Sequence, residues 1–142
     1  MTTADIERRL FWHGILLFFL GLVGGLFVQM MRNPRMGLSA HVGALMSGMF
    51  LALLGATWRH IRLTTGTARA TFWLALYGMY ISSLGVLLAA LFGTSLSTPL
   101  HGAGFTAAAW QEASVYFTTG TGGVAALGCC VGALWGLRRR PT

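Results

Sequence analysis

His41 is the residue of this sequence whose type and setting point most directly to chemistry. It lies about one turn inside a long apolar run, among the small residues of Ser39-Ala40-His41-Val42-Gly43-Ala44. A neutral imidazole can ligate a metal ion or a haem iron, and small neighbours would leave room for a flat, bulky group against the helix. A histidine that forms a hydrogen bond across a helix interface fits the same pattern, so the residues alone leave both interpretations open.

His13 and His101 can each be tested as a second axial ligand to a haem held by His41. His13 lies near the start of the first apolar run and His41 near the start of the second, so their depths in a membrane should differ by roughly 20 Å. They therefore cannot be opposite axial ligands of one haem within a single chain, and we interpret His13 as a hydrogen-bonding residue near a helix end. His101 lies in a loop on the same side as His41 and could approach it. A surface position is the simpler interpretation of His101.

Three further polar side chains are candidates for contacts with a substrate. Tyr80 lies about 13 Å into the third run, too deep for an interfacial tyrosine, so it needs a hydrogen-bond partner or contacts a polar ligand. Ser47 follows His41 by six residues and does not share its helix face. It either lines a cavity between helices or serves as a small packing residue. Glu112 opens the fourth run, where it could transfer protons or favour the positive end of the helix dipole.

These side chains belong to a strongly apolar chain. Of its 142 residues, 55% are hydrophobic and 9% are charged, and the mean hydropathy is +0.67. Such a composition cannot surround a soluble core with polar surface, and each of four apolar runs is near the ~20 residues that cross a bilayer. We therefore predict an all-α fold, a single integral membrane domain of four transmembrane helices with spans of approximately 10–31, 38–58, 71–93 and 113–136.

Arginine positions predict the orientation of these spans. All ten basic residues are arginines in short clusters beside the apolar runs, and only Arg32 and Arg35 would lie on one side of the membrane. Positive charge is enriched on the cytoplasmic side, so both termini and the middle loop are predicted to face the cytoplasm of an inner-membrane protein. The same pattern argues against nucleic acid as a partner. The other eight are Arg8, Arg9, Arg59, Arg62, Arg69, Arg138, Arg139 and Arg140.

Small residues recur at four-residue spacing along three of the runs. Such stripes let helix backbones approach closely in lipid, where burial of apolar surface gives little drive for association. We expect a homo-oligomer from their number, although close packing within one bundle explains the same stripes. They are Gly21 and Gly25; Ser39, Gly43 and Ser47; and Gly128, Gly132 and Gly136.

Several blocks of the sequence resemble a family of small membrane isomerases. The most specific block runs from Asn33-Pro34-Arg35 to Ala40-His41, and weaker ones are His13-Gly14-Ile15-Leu16, Tyr77-Gly78-Met79-Tyr80 and Trp110-Gln111-Glu112. Across nearly its whole length the chain resembles the hydroxylaminobenzene mutases and, more remotely, the styrene oxide isomerases. That resemblance implies an isomerase of small aromatic substrates, converting hydroxylaminobenzene to 2-aminophenol or styrene oxide to phenylacetaldehyde.

The resemblance also implies a cofactor and its ligand. Styrene oxide isomerases are haem b proteins assembled as trimers, with the haem held between neighbouring subunits. By their Ala-His-x-Gly pattern, His41 would be the axial ligand here. The relatives usually carry asparagine where this chain has Ser47. The side-chain amide that the resemblance would assign to holding the substrate oxygen is therefore absent at this position. Tyr80 is the nearest candidate for their catalytic tyrosine, by its depth in the membrane.

The resulting hypothesis is that ferric haem on His41 acts as a Lewis acid toward the oxygen of an N-hydroxylamine or an epoxide, without redox turnover. A dry aromatic cavity would direct the rearrangement, and Tyr80, Ser47 or Glu112 would form a hydrogen bond with the moving oxygen. Two alternatives come from other classes of protein. One is a non-enzymatic electron-transfer protein with His41 and His101 as paired haem ligands, and the other is a haem-free packing or transport module.

Overall fold

The computed structural model describes residues 2–138, and within that range it contains helices and no strands. The four long helices are α1 (Thr3–Leu26), α2 (Pro34–Thr57), α3 (Thr65–Phe92) and α4 (Ala109–Arg138). Each is long and apolar enough to cross a membrane, so the predicted all-α chain with four helices able to span is confirmed. Arg139 and Arg140, which contribute to the predicted orientation, lie outside the described residues.

Local sequence signals set where these helices begin and end. The Thr2 side chain caps α1 in a capping box, and the Asn33 side chain caps α2, whose first residue is Pro34. These residue types satisfy backbone N–H groups that have no partner within the helix. Helix α3 begins after the cap Thr64 and is followed by the capping residue Gly93, whose φ of 67° is a left-handed conformation that glycine adopts without strain. One 3₁₀ turn follows each of the first two helices, at Val28–Met30 and at Trp58–His60.

The helices pack as two antiparallel hairpins. Helices α1 and α2 form one hairpin and α3 and α4 form the other, while the contact between α2 and α3 joins them. At the end of the molecule that carries Arg32 and Arg35, polar side chains tie the hairpins together. The Arg32 guanidinium donates to the carbonyl oxygens of Phe92 at 2.8 Å and Thr106 at 3.0 Å. The Asn33 side-chain amide donates to the carbonyl oxygen of His101 at 2.8 Å.

Inside each hairpin the closest approach of the two helices follows small residues spaced seven apart. A Cβ added to Gly48 would lie 2.5 Å from the backbone nitrogen of Phe18, and one added to Gly78 would lie 2.7 Å from that of Ala126. Neither position therefore accepts a side chain unless the backbones separate. We call these two contacts the α1–α2 seam (Gly14, Gly21, Gly48 and Gly55) and the α3–α4 seam (Gly78, Gly85, Gly122 and Cys129).

The seven-residue seams coexist with four-residue stripes of the kind that the sequence indicated, because a Cβ added at Gly128, Gly132 or Gly136 would also meet a side chain of another element. Gly21 and Gly25 do face α2, but a Cβ on Gly43 would meet nothing within 4 Å. Two helices that cross at a small angle meet again after about seven residues, and a residue four positions from such a contact lies on the same helix face and can also reach the partner. Cys129, which is completely buried, occupies a seam position as a small residue.

Candidate functional site

A cavity of about 200 Å³ lies between α1, α2 and α3. Its wall is almost entirely apolar, and the polar side chains that reach it come from two helices. His41 comes from α2, whereas Tyr80 and Ser83 come from α3, one turn apart and therefore on one helix face. The other lining residues are Leu17, Leu20, Gly21, Gly24, Met31, Ala40, Ala44, Leu84 and Leu87.

His41 occupies the α1–α2 seam itself, because it precedes Gly48 by seven residues. Its half-buried ring lies against α1, where a Cβ on Gly25 would stand 2.5 Å from Nδ1. The Nδ1 atom is 2.8 Å from the carbonyl oxygen of Gly21. A carbonyl oxygen only accepts hydrogen bonds, so Nδ1 carries the proton and donates, and in the neutral ring Nε2 keeps its lone pair. Nε2 is thus left free to ligate a metal or accept a proton.

The Tyr80 phenol is held by a second histidine. Its hydroxyl lies 3.1 Å from Nδ1 of His13 and 3.3 Å from the carbonyl oxygen of His13. If Nδ1–H donates to the phenol oxygen while the phenol O–H donates to the carbonyl, both contacts are satisfied at once. The two rings meet edge to face, with centroids 5.7 Å apart. His13 therefore lies in the interior of α1 and fixes Tyr80, rather than forming a hydrogen bond near a helix end as the sequence indicated.

The structure does not bring the other sequence candidates to this cavity. Glu112 is buried, and its carboxylate accepts the backbone N–H groups of Ser95 at 2.9 Å and Leu96 at 3.2 Å. It thereby fixes the connection that follows α3. Ser47 is half-buried and is absent from the cavity lining. His101 is exposed, and its contact with the α1–α2 turn is made by its backbone oxygen.

Sequence reasoning missed one residue that lines the cavity and one pairing that holds a lining residue in place. Ser83 lines it and donates its hydroxyl to the carbonyl oxygen of Met79 at 2.7 Å, four residues earlier on α3. Its position one turn after Tyr80 is a signal that the sequence does contain. The pairing of His13 with Tyr80 joins residues 67 positions apart, and no local pattern announces it.

A single imidazole with this orientation fits an axial haem ligand. A hydrogen bond from the non-ligating nitrogen to a backbone carbonyl is the arrangement that orients ligating histidines, and His41 has it. Within residues 2–138 no three His, Cys, Asp or Glu side chains cluster as metal ligands. The cavity volume of about 200 Å³ is below the roughly 300–1,000 Å³ of drug-sized ligand sites. A porphyrin would therefore extend beyond the cavity, whereas one small aromatic molecule suits its size.

The cavity opens sideways, toward the outside of the bundle. Leu20 and Leu84 line it, yet their side chains are 48% and 43% exposed. Both lie within helices that are long and apolar enough to span a bilayer. An apolar molecule dissolved in lipid would thus reach His41 and Tyr80 without passing through water.

Comparison with known proteins identifies relatives of this chain over most of its length. The family model for styrene oxide isomerase matches residues 6–138. The hydroxylaminobenzene mutase HabB of Ectopseudomonas oleovorans is 42% identical over 141 residues, which cover 99% of this chain and 86% of the relative. The mutase HabA of the same organism is 44% identical over 88 residues, 62% of this chain and 65% of the relative. No solved structure matches the chain.

Proposed function

This chain belongs to the styrene oxide isomerase family and is an isomerase, and from that premise we propose that it is a mutase of small aryl N-hydroxylamines. Its reaction would convert hydroxylaminobenzene to 2-aminophenol. The N–O bond breaks, a C–O bond forms at the neighbouring ring carbon, and the proton lost from that carbon is balanced by one gained at nitrogen. The observation that carries the proposal is the apolar cavity whose polar side chains are His41, Tyr80 and Ser83.

We propose haem b as the cofactor, held by Nε2 of His41. When bound, the iron supplies Lewis acidity toward the oxygen of the substrate. The protein's part is to fix the imidazole: the carbonyl oxygen of Gly21 accepts a hydrogen bond from Nδ1–H, and the absence of a side chain at Gly25 leaves space for the ring. Both contacts come from α1, so the α1–α2 seam determines the direction of the ligand.

The remaining steps depend on the chain's own side chains. The apolar wall receives the aromatic ring of the substrate and excludes bulk water, which would otherwise trap a cationic intermediate. The Tyr80 phenol stands at the edge of this wall; its single O–H turns from the carbonyl oxygen of His13 and donates a hydrogen bond to the oxygen as it leaves nitrogen, while the Nδ1–H of His13 continues to donate to the phenol oxygen. His13 keeps that phenol in place before the substrate arrives. In this proposal Ser47 is a packing residue and Glu112 a structural one.

We also propose a homo-oligomer, a trimer in the simplest case, in the inner membrane with both termini in the cytoplasm. A porphyrin larger than the cavity would need a surface from a second copy. Open space at Gly24 and Gly43, on either side of the seam, would admit such a close approach. The arginine distribution supports the orientation.

The test is an assay of the purified, detergent-solubilised protein. Hydroxylaminobenzene is supplied, 2-aminophenol is measured by chromatography, and the visible spectrum is recorded on the same sample. We expect turnover, a Soret band, and loss of both in His41→Ala, with a rate at least about 100-fold lower. His60→Ala, which removes an exposed histidine, is the matched control. Full turnover by His41→Ala without a Soret band would refute the role of haem, and absence of 2-aminophenol from the haem-loaded protein would refute the mutase assignment.

A second candidate substrate is styrene oxide, which the match to the family model favours. The same preparation would then form phenylacetaldehyde faster than 2-aminophenol at equal substrate concentrations. The electron-transfer alternative needs a second axial ligand, and His101 does not line the cavity. A five-coordinate, high-spin spectrum supports the isomerase, and a six-coordinate, low-spin spectrum supports electron transfer.

A further inference from the structure

A second, larger concavity lies on the outer face of α1, away from His41. It is a groove of about 820 Å³ between α1 and the end of α2. Along α1 its floor is formed by Phe11, Ile15 and Phe19, three large side chains that are 49%, 53% and 57% exposed. This groove shares no lining residue with the cavity of the proposed active site.

Basic side chains from two different elements meet at one end of the groove. Arg8 comes from the first turns of α1 and Arg59 from the 3₁₀ turn that follows α2, and both are exposed. Glu7 is the one acidic residue in the lining, so the end of the groove carries a net charge of one positive unit. Guanidinium groups suit a phosphate group because their paired N–H donors match two of its oxygens.

The length of the groove matches one leaflet of a bilayer. From Arg8 to Phe19 the helix rises about 16 Å at 1.5 Å per residue, which is close to half of the roughly 30 Å hydrocarbon core. A molecule with a charged group at the membrane surface and an acyl chain in the same leaflet would thus fill the groove from end to end.

The acidic residues of the chain argue against a second copy as the occupant. The sequence has three acidic side chains. Asp5 accepts from the backbone and hydroxyl of Thr2, Glu112 is bound to backbone amides near Ser95, and Glu7 already lies in the groove. Another copy would therefore bring few side-chain carboxylates to Arg8 and Arg59, whereas an anionic lipid brings its phosphate.

We propose that this groove is a binding site for an anionic phospholipid. Arg8 and Arg59 hold its phosphodiester, and one acyl chain lies along Phe11, Ile15 and Phe19. Basic pockets between membrane helices bind anionic head groups in this way. The site is separate from the proposed catalysis, so lipid binding does not require that the mutase assignment be correct.

Native mass spectrometry of the full chain in detergent tests the proposal, because it counts bound lipids and subunits together. The probes are phosphatidylglycerol and phosphatidylethanolamine of equal chain length. We expect phosphatidylglycerol to be retained preferentially, and the double variant Arg8→Gln/Arg59→Gln to weaken that binding about 30-fold. The matched control is Arg62→Gln/Arg69→Gln, which removes two exposed arginines outside the groove and should leave binding unchanged.

A second variant tests the acyl chain independently of charge. Ala56 is exposed and lines the groove, so Ala56→Phe should fill it and displace the lipid while both arginines remain. Equal retention of the two lipids, equal loss in the control pair, or unchanged binding by Ala56→Phe would each overturn the proposal. If Ala56→Phe changed the number of subunits while phosphatidylglycerol stayed bound, the groove would be an interface between copies of the chain instead of a lipid site.

Discussion

The two helical hairpins are built on the same packing repeat but differ in the polar residue that the repeat contains. In α2 the position seven residues before Gly48 is His41, and in α3 the position seven residues before Gly78 is Thr71. Each polar side chain faces a glycine of the partner helix: His41 faces Gly25, and Thr71 faces Gly132. The buried threonine fits within a close helix contact, whereas the larger imidazole borders a cavity.

The comparison teaches that a chemical group can be introduced into a membrane bundle through its packing pattern. A side chain in a seam is carried by one helix and oriented by the other, and for His41 on α2 the partner helix α1 supplies both a hydrogen-bond acceptor at Gly21 and space at Gly25. Positioning of that kind is what a metal ligand needs. The α3–α4 hairpin has the same packing repeat, and it contributes Tyr80 from the side of α3 that faces the first hairpin.

Among these comparisons, the largest effect on turnover is expected from the two tyrosines of α3: Tyr80, which lines the cavity, and Tyr77, which connects α3 to α4. Tyr80→Phe removes the phenol at the cavity, so we expect turnover of hydroxylaminobenzene to fall about 100-fold, as for loss of one donor to a developing negative charge. Tyr77→Phe removes a hydrogen bond to Thr121 at 3.0 Å and should leave turnover nearly unchanged. Equal losses in the two variants would mean that Tyr80 acts through the fold rather than on the substrate.

The next pair of substitutions adds one methyl group to the glycine that faces the polar residue of each hairpin. Gly25→Ala would push the His41 ring aside, and because displacement by about 1 Å can cost on the order of 100-fold in rate, turnover should fall up to that extent while the helices stay folded. Gly132→Ala would press on Thr71 and should change thermal stability but not the rate per folded molecule. The assay and a thermal unfolding scan are run on both variants, and an unchanged rate per folded molecule in Gly25→Ala would show that the position of His41 has no part in catalysis.

Alanine substitutions at one glycine of each seam measure how closely the two helices approach in each hairpin. Gly48→Ala and Gly78→Ala each place a methyl group against a partner backbone, so both should lower the free energy of unfolding by about 2 kcal/mol. Gly120→Ala, at an exposed position of α4 where an added Cβ meets nothing within 4 Å, should be neutral or slightly stabilising, since alanine favours helix. Unfolding in mixed detergents measures all three, and a neutral Gly48→Ala would contradict the close contact within the first hairpin.

The smallest expected effect concerns His13, which acts through another residue. His13→Ala should lower turnover about tenfold by releasing Tyr80, in line with residues that orient an active-site group. In the Tyr80→Phe background the same substitution should cost almost nothing further, because the two side chains form one unit. Additive losses in the double variant would show instead that His13 reaches the substrate directly.

The sequence was sufficient for the helices and for the identity of the central histidine. Four apolar runs predicted four spanning helices, although α2 begins at Pro34, ahead of the apolar run predicted from residue 38, because Asn33 caps it and proline suits a first helical position. His41 could be recognised as a candidate because it lies in an apolar run, where an imidazole needs a partner. Its two interpretations prove compatible, since Nδ1 bonds across the helix interface while Nε2 stays available.

Long-range pairings were beyond the sequence for physical reasons. Glycines occur at both four-residue and seven-residue spacing, and the crossing geometry of the helices decides which of them face a partner and which face open space. The bond between His13 and Tyr80 depends on how α1 and α3 are placed by α2. Glu112 looked like a helix-dipole or proton-transfer residue, but the chain that returns from α3 brings two amide groups to its carboxylate.

The sideways opening between Leu20 and Leu84 has a kinetic consequence. An enzyme entered from lipid responds to the mole fraction of substrate in the apolar phase, because that phase is the reservoir from which it draws. Water-soluble and lipid-soluble aryl compounds of equal intrinsic reactivity would therefore be processed at different speeds. Diluting the same amount of substrate into more detergent micelles would slow the reaction even though its bulk concentration had not changed.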